Sequence, residues 1–237
     1  MAETVSNITE IPALLMQPSK VLLLGGIREA ADLAGVLVAA GHNVMSSLAG
    51  RTKEPQPLAG ELRIGGFGGA TGLALFLQEK AIDVLIDATH PFAKNMSANA
   101  VLAAKATHCR LIVYARAAWQ KQTGDNWIEV EDLAAARDKI PANARVLLAL
   151  GSQHIAVFKT RKDVHFLVRT VDAPPRPFDL PNHTLILGKP GDFMAEKQIL
   201  TKHCISHIIC RNSGGLGAYA KIEAARFLNL PVIIINR

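Results

Sequence analysis

The stretch Val21-Leu22-Leu23-Leu24-Gly25-Gly26-Ile27-Arg28-Glu29-Ala30 constrains this chain more than any other. Four consecutive apolar residues read as a buried strand, two glycines as a tight turn, and a helix follows at once. A strand that stops at glycines and becomes a helix leaves backbone N–H groups unpaired at the helix start, where the helix dipole adds positive potential. Such a turn is a ready anion site, commonly filled by a phosphate. The pattern is G-G-x-x-E-A rather than G-x-G-x-x-G, so taken alone it fits a phosphate site and a structural turn equally.

The same alternation continues down the chain. Ala30, Leu33, Ala34, Leu37 and Val38 recur at helical spacing, and Gly41 is placed to end that helix. Residues 43–47 read as a second strand. At the end of such a strand NAD-binding Rossmann units carry an acidic residue for the ribose 2′-OH. Here stand Ser46, Ser47, Leu48, Ala49, Gly50 and Arg51, with no carboxylate before Glu54. Hydroxyls and a guanidinium suit a 2′-phosphate, which favours NADPH over NADH; a solvated loop role for Arg51 is the competing reading. Residues 61–64 read as a third strand, followed by Gly65-Gly66-Phe67-Gly68-Gly69. Four glycines in five positions point to close approach of something flat, or to a mobile loop. Thr71 is expected to cap the next helix, whose face would use Leu73, Leu75, Phe76 and Leu77.

A fourth strand over residues 83–86 leads into Asp87-Ala88-Thr89-His90-Pro91-Phe92-Ala93, with Pro91 expected in the first turn of a helix. In an open parallel sheet these turns share the carboxyl edge, so Asp87, Thr89 and His90 fall beside Gly25 and Gly26. Residues 111–114 give a fifth strand. Periodicity lapses over residues 116–125, where a domain boundary is expected. Beyond it strands at 145–150, 165–171, 184–187, 206–210 and 232–235 alternate with helices at 132–140, 152–158, 192–202 and around Tyr219, Lys221 and Glu223. Residues 172–177, Asp-Ala-Pro-Pro-Arg-Pro, cannot be regular structure. Arg211-Asn212-Ser213-Gly214-Gly215-Leu216-Gly217 repeats the logic of the opening turn. The expected fold is α/β, two Rossmann-like doubly wound parallel-sheet domains with the active site in the cleft between them. The boundaries are residues 1–19 as a loosely ordered extension, 20–117 as the NADPH-binding domain and 118–237 as the second domain. Whether the last strand joins the first domain is left open.

Composition narrows the partners. The formal charge of +6 and a pI near 9.4 suit an acidic ligand. There is no Lys/Arg run and only two Trp and two Tyr, which argues against nucleic acid and for a polyanionic small molecule. The odd number of cysteines, Cys109, Cys204 and Cys210, without C-x-x-C spacing, suggests reduced thiols and a cytoplasmic location. His203, Cys204, His207 and Cys210 straddle a helix end and a strand, so no metal site is expected. Glu3 and Glu10 without an early basic residue argue against a secretory or transit peptide, and no run reaches the length of a membrane span.

Six stretches in order, over residues 20–237, resemble the precorrin-6A reductase family of cobalamin (vitamin B12) biosynthesis. They are Leu-Leu-Gly-Gly at 23–26 with Glu29-Ala30, Ser47-Leu-Ala-Gly-Arg51, Arg63-Ile-Gly-Gly-Phe-Gly-Gly69, Asp87-Ala-Thr-His-Pro-Phe-Ala93, Asn212-Ser-Gly-Gly215 and Ala220-Lys-Ile-Glu-Ala-Ala225. The resemblance implies an NADPH-dependent reductase that converts precorrin-6A, a tetrapyrrole polycarboxylate, to precorrin-6B. It implies cofactor contacts at Gly25, Gly26, Ile27, Arg28, Glu29, Ser47, Arg51, Gly66, Gly68, Thr89 and His90. Substrate contacts fall on Arg211, Asn212, Ser213, Gly214, Gly215 and Lys221, with His90 and Lys221 as candidate proton donors. The chain departs from the family pattern at Ile27, where Thr is usual, at Arg211 for Lys, at Ser152 for Arg, and at Ala117 for Pro. The alternatives are the cobalt-containing substrate of the anaerobic pathway and a non-catalytic NADPH sensor. Transient contact with neighbouring pathway enzymes is also expected.

Overall fold

Strand pairing is parallel throughout residues 2–50 and 57–237, the residues described by the computed structural model. Parallel neighbours cannot be joined by hairpins, so each connection must cross a sheet face, and helices cover those faces. The chain divides into two units, residues 1–117 and 118–237.

The first unit contains β1 (Glu3–Val5), α1 (Ile11–Leu14), β2 (Lys20–Leu24), α2 (Arg28–Ala39), β3 (Asn43–Leu48), β4 (Glu61–Ile64), α3 (Gly69–Glu79), β5 (Val84–Asp87), α4 (Lys94–Thr107) and β6 (Arg110–Tyr114). Its sheet order is β1-β6-β5-β2-β3-β4. From β2 the chain steps outward through β3 to β4, then returns to the other side of β2 for β5 and β6. The order reverses between β2 and β5, the place where open α/β sheets bind ligands.

Alternation along β2 explains its uninterrupted apolar run. Val21 and Leu23 pack with Leu33 and Leu37 of α2, while Leu22 and Leu24 pack with Leu73 and Leu77 of α3. No residue of this run is more than 2% exposed. Helix α2 ends as its glycine predicts: Gly41 adopts φ +87°, its N–H donates to Val38 O, and His42 N–H donates to Leu37 O. That is the paired closure of a Schellman motif.

Four local expectations change. Residues 1–19 are not loose: β1 pairs with β6, Ile11 is fully buried, and Arg110 bridges to Glu3 at 2.8 Å. The signal is weak in sequence because β1 is three residues long and only Val5 is buried. Thr71 does not cap α3, which already starts at Gly69 behind a left-handed Gly68 (φ +77°). Leu75, assigned to the apolar face of that helix, is 55% exposed. Pro91 lies in a turn three residues ahead of α4, closed by Ala93 N–H to His90 O.

The second unit contains β7 (Trp127–Val130), α5 (Leu133–Asp138), β8 (Arg145–Ala149), β9 (His165–Thr170), β10 (His183–Leu187), α6 (Phe193–Lys202), β11 (His207–Arg211), α7 (Ala220–Phe227) and β12 (Val232–Ile235), with a 3-10 segment over Ser152–Phe158. Its order is β10-β9-β8-β11-β12-β7. This repeats the first unit's topology, with the strand that enters first at the far edge. The last strand, β12, lies inside this sheet between β11 and β7. Asp132 and Asp192 cap α5 and α6 by accepting from Ala135 and Ala195 N–H. Arg169 of β9 donates to Glu196 of α6 at 2.5 Å, and Glu196 also accepts from Gly191 N–H. Glu196 is wholly buried and Arg169 8% exposed, so each needs the other. Arg169→Ala is therefore expected to destabilise this unit by about 3–5 kcal/mol through the stranded carboxylate, read as a lowered urea midpoint.

Candidate functional site

The carboxyl ends of β2, β3, β4 and β5 converge on a cavity of about 270 Å³ at the reversal point of the first sheet. Gly25 and Gly26 form one wall, Ser47 to Gly50 a second, Ile64 to Phe67 a third, and Thr89, His90, Ala93 and Met96 the fourth. Bonds past the strand ends hold these loops in register: Gly25 N–H to Ser47 O, Gly65 N–H to Leu48 O, and Ala88 N–H to Leu24 O. Gly26 has φ +121° with nothing within 4 Å of where a Cβ would stand, which leaves backbone exposed to close approach. At the start of α2, Ile27 makes no side-chain cap. The first helical N–H groups are thus left for a partner other than a capping side chain.

Of the residues singled out in the sequence, Gly25, Gly26, Ser47, Gly66, Thr89 and His90 line this cavity. Ile27, Arg28, Glu29 and Gly68 flank it without lining it, and Arg51 lies outside the described residues. Asp87, 3% exposed, accepts from both the N–H and the Oγ1 of Thr89, at 3.1 and 2.7 Å. It thereby fixes the Thr89 hydroxyl. Phe92 N–H donates to His90 Nδ1 at 3.3 Å. In the neutral imidazole this makes Nδ1 the acceptor and puts the proton on Nε2.

Sequence reasoning does not single out the apolar wall residues Leu48, Ile64, Phe67 and Met96, nor the brace behind the third wall. Arg63 donates to Gly65 O at 2.5 Å and to Gly66 O at 2.8 Å. Its guanidinium lies 3.8 Å from the Phe67 ring centroid, and Phe67 meets Phe76 edge-on at 5.2 Å. The glycine-rich loop is therefore held rather than mobile. Helix α3 crosses it closely: a Cβ at Gly72 would stand 1.7 Å from Phe67 O. The signal for this brace is the Arg63-Ile-Gly-Gly-Phe spacing itself, which brings the guanidinium back over its own loop.

In the second unit the loop after β11 is bound from several sides. Asn212, 7% exposed, accepts from Trp119 N–H at 2.8 Å and donates to Trp119 O at 3.1 Å. Trp119 Nε1 donates to Gly215 O, and Arg237 donates to the carbonyls of Asn212 and Ser213. Gly214 and Gly215 take φ +67° and +69°. Lys221 is 4% exposed; its Nζ donates to Ala218 O at 2.5 Å and stands 4.8 Å from the Trp119 ring. Burial holds its pKa below the ordinary lysine value, and burial likewise raises that of Cys210 beside it. Among the described residues no three His, Cys, Asp or Glu side chains converge as a metal site, and no helix is long and apolar enough to cross a membrane.

Fold and crevice together define a two-unit α/β protein of Rossmann type, with a cavity at the switch point of the first sheet. The model of the precorrin-6x reductase CbiJ/CobK family matches residues 20–237, and the chain belongs to that family. It is 45% identical over 223 residues to the precorrin-6A reductase of Rhodobacter capsulatus, covering 92% of this chain and 88% of that one. A solved CobK precorrin-6A reductase superposes with a TM-score of 0.90 at 44% identity, covering 92% and 88% of the two chains. The cobalt-precorrin-6A reductase of Priestia megaterium is 28% identical over 236 residues.

Two consequences are testable. Gly72→Ala should destabilise the protein by about 1–3 kcal/mol, because the methyl and Phe67 O cannot share the space, visible as a lowered melting temperature. Lys221 carries a folded-state pKa below its unfolded value, so it penalises folding most where it is charged. That penalty fades as pH rises from the folded pKa toward 10.5. The stability of the wild type relative to Lys221→Met should accordingly increase with pH across that window, measured by urea unfolding at stepped alkaline pH.

Proposed function

We propose that this protein is an NADPH-dependent reductase that converts precorrin-6A to precorrin-6B in cobalamin biosynthesis. The observation that carries the reading is near-full-length similarity at 45% to a precorrin-6A reductase, joined to a cavity at the switch point of the first sheet. The cobalt-containing substrate is the second reading, since the metal would belong to the substrate. The lower identity, 28%, to a cobalt-precorrin-6A reductase favours the metal-free one. A non-catalytic sensor is disfavoured because the relatives are reductases.

The residues of the first unit fit a dinucleotide. Gly25 and Gly26, with the uncapped start of α2 through Ile27, Arg28 and Glu29, suit a pyrophosphate. Ser47 and Arg51 are assigned to the 2′-phosphate, and Gly66 and Gly68 to the close approach of the adenosine half. Thr89 and His90 are assigned to the nicotinamide end. Bound there, a reduced nicotinamide would supply hydride to a macrocycle carbon next to a pyrrole nitrogen, and one proton would go to the adjoining carbon. A proton held on that nitrogen would make an iminium, a better hydride acceptor, and would be released as the adjoining carbon takes its own, so that one hydride and one proton are gained in all.

Of the two proton-donor candidates, His90 is preferred, since it lines the cavity and Lys221 does not. Lys221 is buried against Ala218 and Trp119, which suits a support for the loop of Arg211, Asn212, Ser213, Gly214 and Gly215. That loop is assigned to the macrocycle carboxylates, with Arg211 as its charged member. Asn212 doubles as the tie that holds the loop to Trp119.

The direct test is anaerobic incubation with NADPH and precorrin-6A. Oxidation of NADPH with a shifted macrocycle absorption is expected; an unchanged macrocycle overturns the reading, and faster turnover of the cobalt substrate favours the second. Arg51→Ala should raise the KM for NADPH by about tenfold or more and that for NADH far less. Equal changes would remove the 2′-phosphate assignment.

A further inference from the structure

Glu29 poses an electrostatic problem for the site just described. It is the second residue of α2, in the turn where the helix concentrates positive potential. A carboxylate there stabilises an empty helix end. Once a pyrophosphate arrives, the same carboxylate is a like charge at the same terminus. The structure answers this with Arg116, whose Nη2 donates to Glu29 Oε2. The pair is well shielded, the side chains being 10% and 22% exposed, so screening by water is limited.

Arg116 does not come from the cavity walls or from α2. It lies just beyond β6, two residues before the boundary between the units. Its backbone approach is fixed by the neighbouring Ala115, whose N–H donates to Val5 O of β1 at 2.8 Å. The edge strand formed by the N-terminal segment therefore sets where the guanidinium can reach.

We propose that Arg116 is a positioning residue for the cofactor phosphates: it neutralises and turns aside the Glu29 carboxylate, so that the start of α2 accepts an anion. The proposal rests on the pyrophosphate assignment made above. In this view the Glu29 carboxylate is compensated by Arg116 throughout, so that the helix start presents no net like charge to an arriving anion. Arg116 acts through that carboxylate and is assigned no contact of its own to cofactor or substrate.

The test is a rescue. NADPH binding is measured by calorimetry for the wild type, Arg116→Ala and Arg116→Gln, each with and without Glu29→Gln, and every variant is checked by thermal melting. Arg116→Gln keeps the stem of the side chain and carries the test if Arg116→Ala does not fold. Loss of Arg116 should weaken NADPH binding on the order of tenfold, and adding Glu29→Gln should return it to within about threefold of the wild type. Raising the salt concentration should shrink the deficit of the single variant, because the repulsion is screened. A merely structural Arg116 gives a loss that Glu29→Gln leaves in place, and that result, or no loss at all, overturns the proposal alone. A wild type that binds no NADPH overturns it together with the cofactor assignment.

Discussion

Burial of β2 on both faces is the constraint from which the first unit follows. Its residues alternate between two helix layers, Val21 and Leu23 toward α2, Leu22 and Leu24 toward α3. Neither layer can be removed without exposing a row of leucines to water, at roughly 1.5–3 kcal/mol for each side chain. Because both faces are needed, the chain must leave β2 on one side and return on the other. That return creates the reversal beside β5 and, at the carboxyl edge, the crevice. The cavity is thus a by-product of how a doubly covered strand is packed, and its chemistry depends on which loops surround it.

The second unit solves the same packing problem with the same strand order but puts different residues on its loops. Glycines and an uncapped helix start dominate the crevice of the first. The loop after β11 is instead tied down by Asn212, Trp119 and Arg237. One topology therefore carries an open glycine turn before an uncapped helix in one unit and a braced, hydrogen-bonded loop in the other.

Most strands and helices were legible because their signals are local. The leucine run and the Gly41 closure depend on neighbours within a few residues, and each stands where its pattern placed it. What escaped depends on partners far away in the chain. β1 is three residues with one buried side chain, and its stability comes from pairing with β6 about a hundred positions later. Thr71 looked like a cap because threonine caps helices, but Gly68 and Gly69 with positive φ let the helix start earlier. At the site, the polar and glycine residues of the turns were readable. The apolar wall of Leu48, Ile64 and Met96 was not, since an apolar residue at a strand end or in the first turn of a helix reads equally as core. The tie between Glu29 and Arg116 spans 87 positions and has no local signature at all.

The placement of β1 bears on how the chain is made. Glu3, Thr4 and Val5 find their partners at Ile112, Val113 and Tyr114, so nearly the whole first unit must be synthesised before its sheet acquires its last strand. Closing so long a loop is entropically slow compared with forming the local βα turns. Without β1, β6 would be an open edge, a form that invites pairing with other chains. Segments fused ahead of Glu3, or cut away with it, act on that late step and, through the Val5 to Ala115 bond, on the arm that carries Arg116.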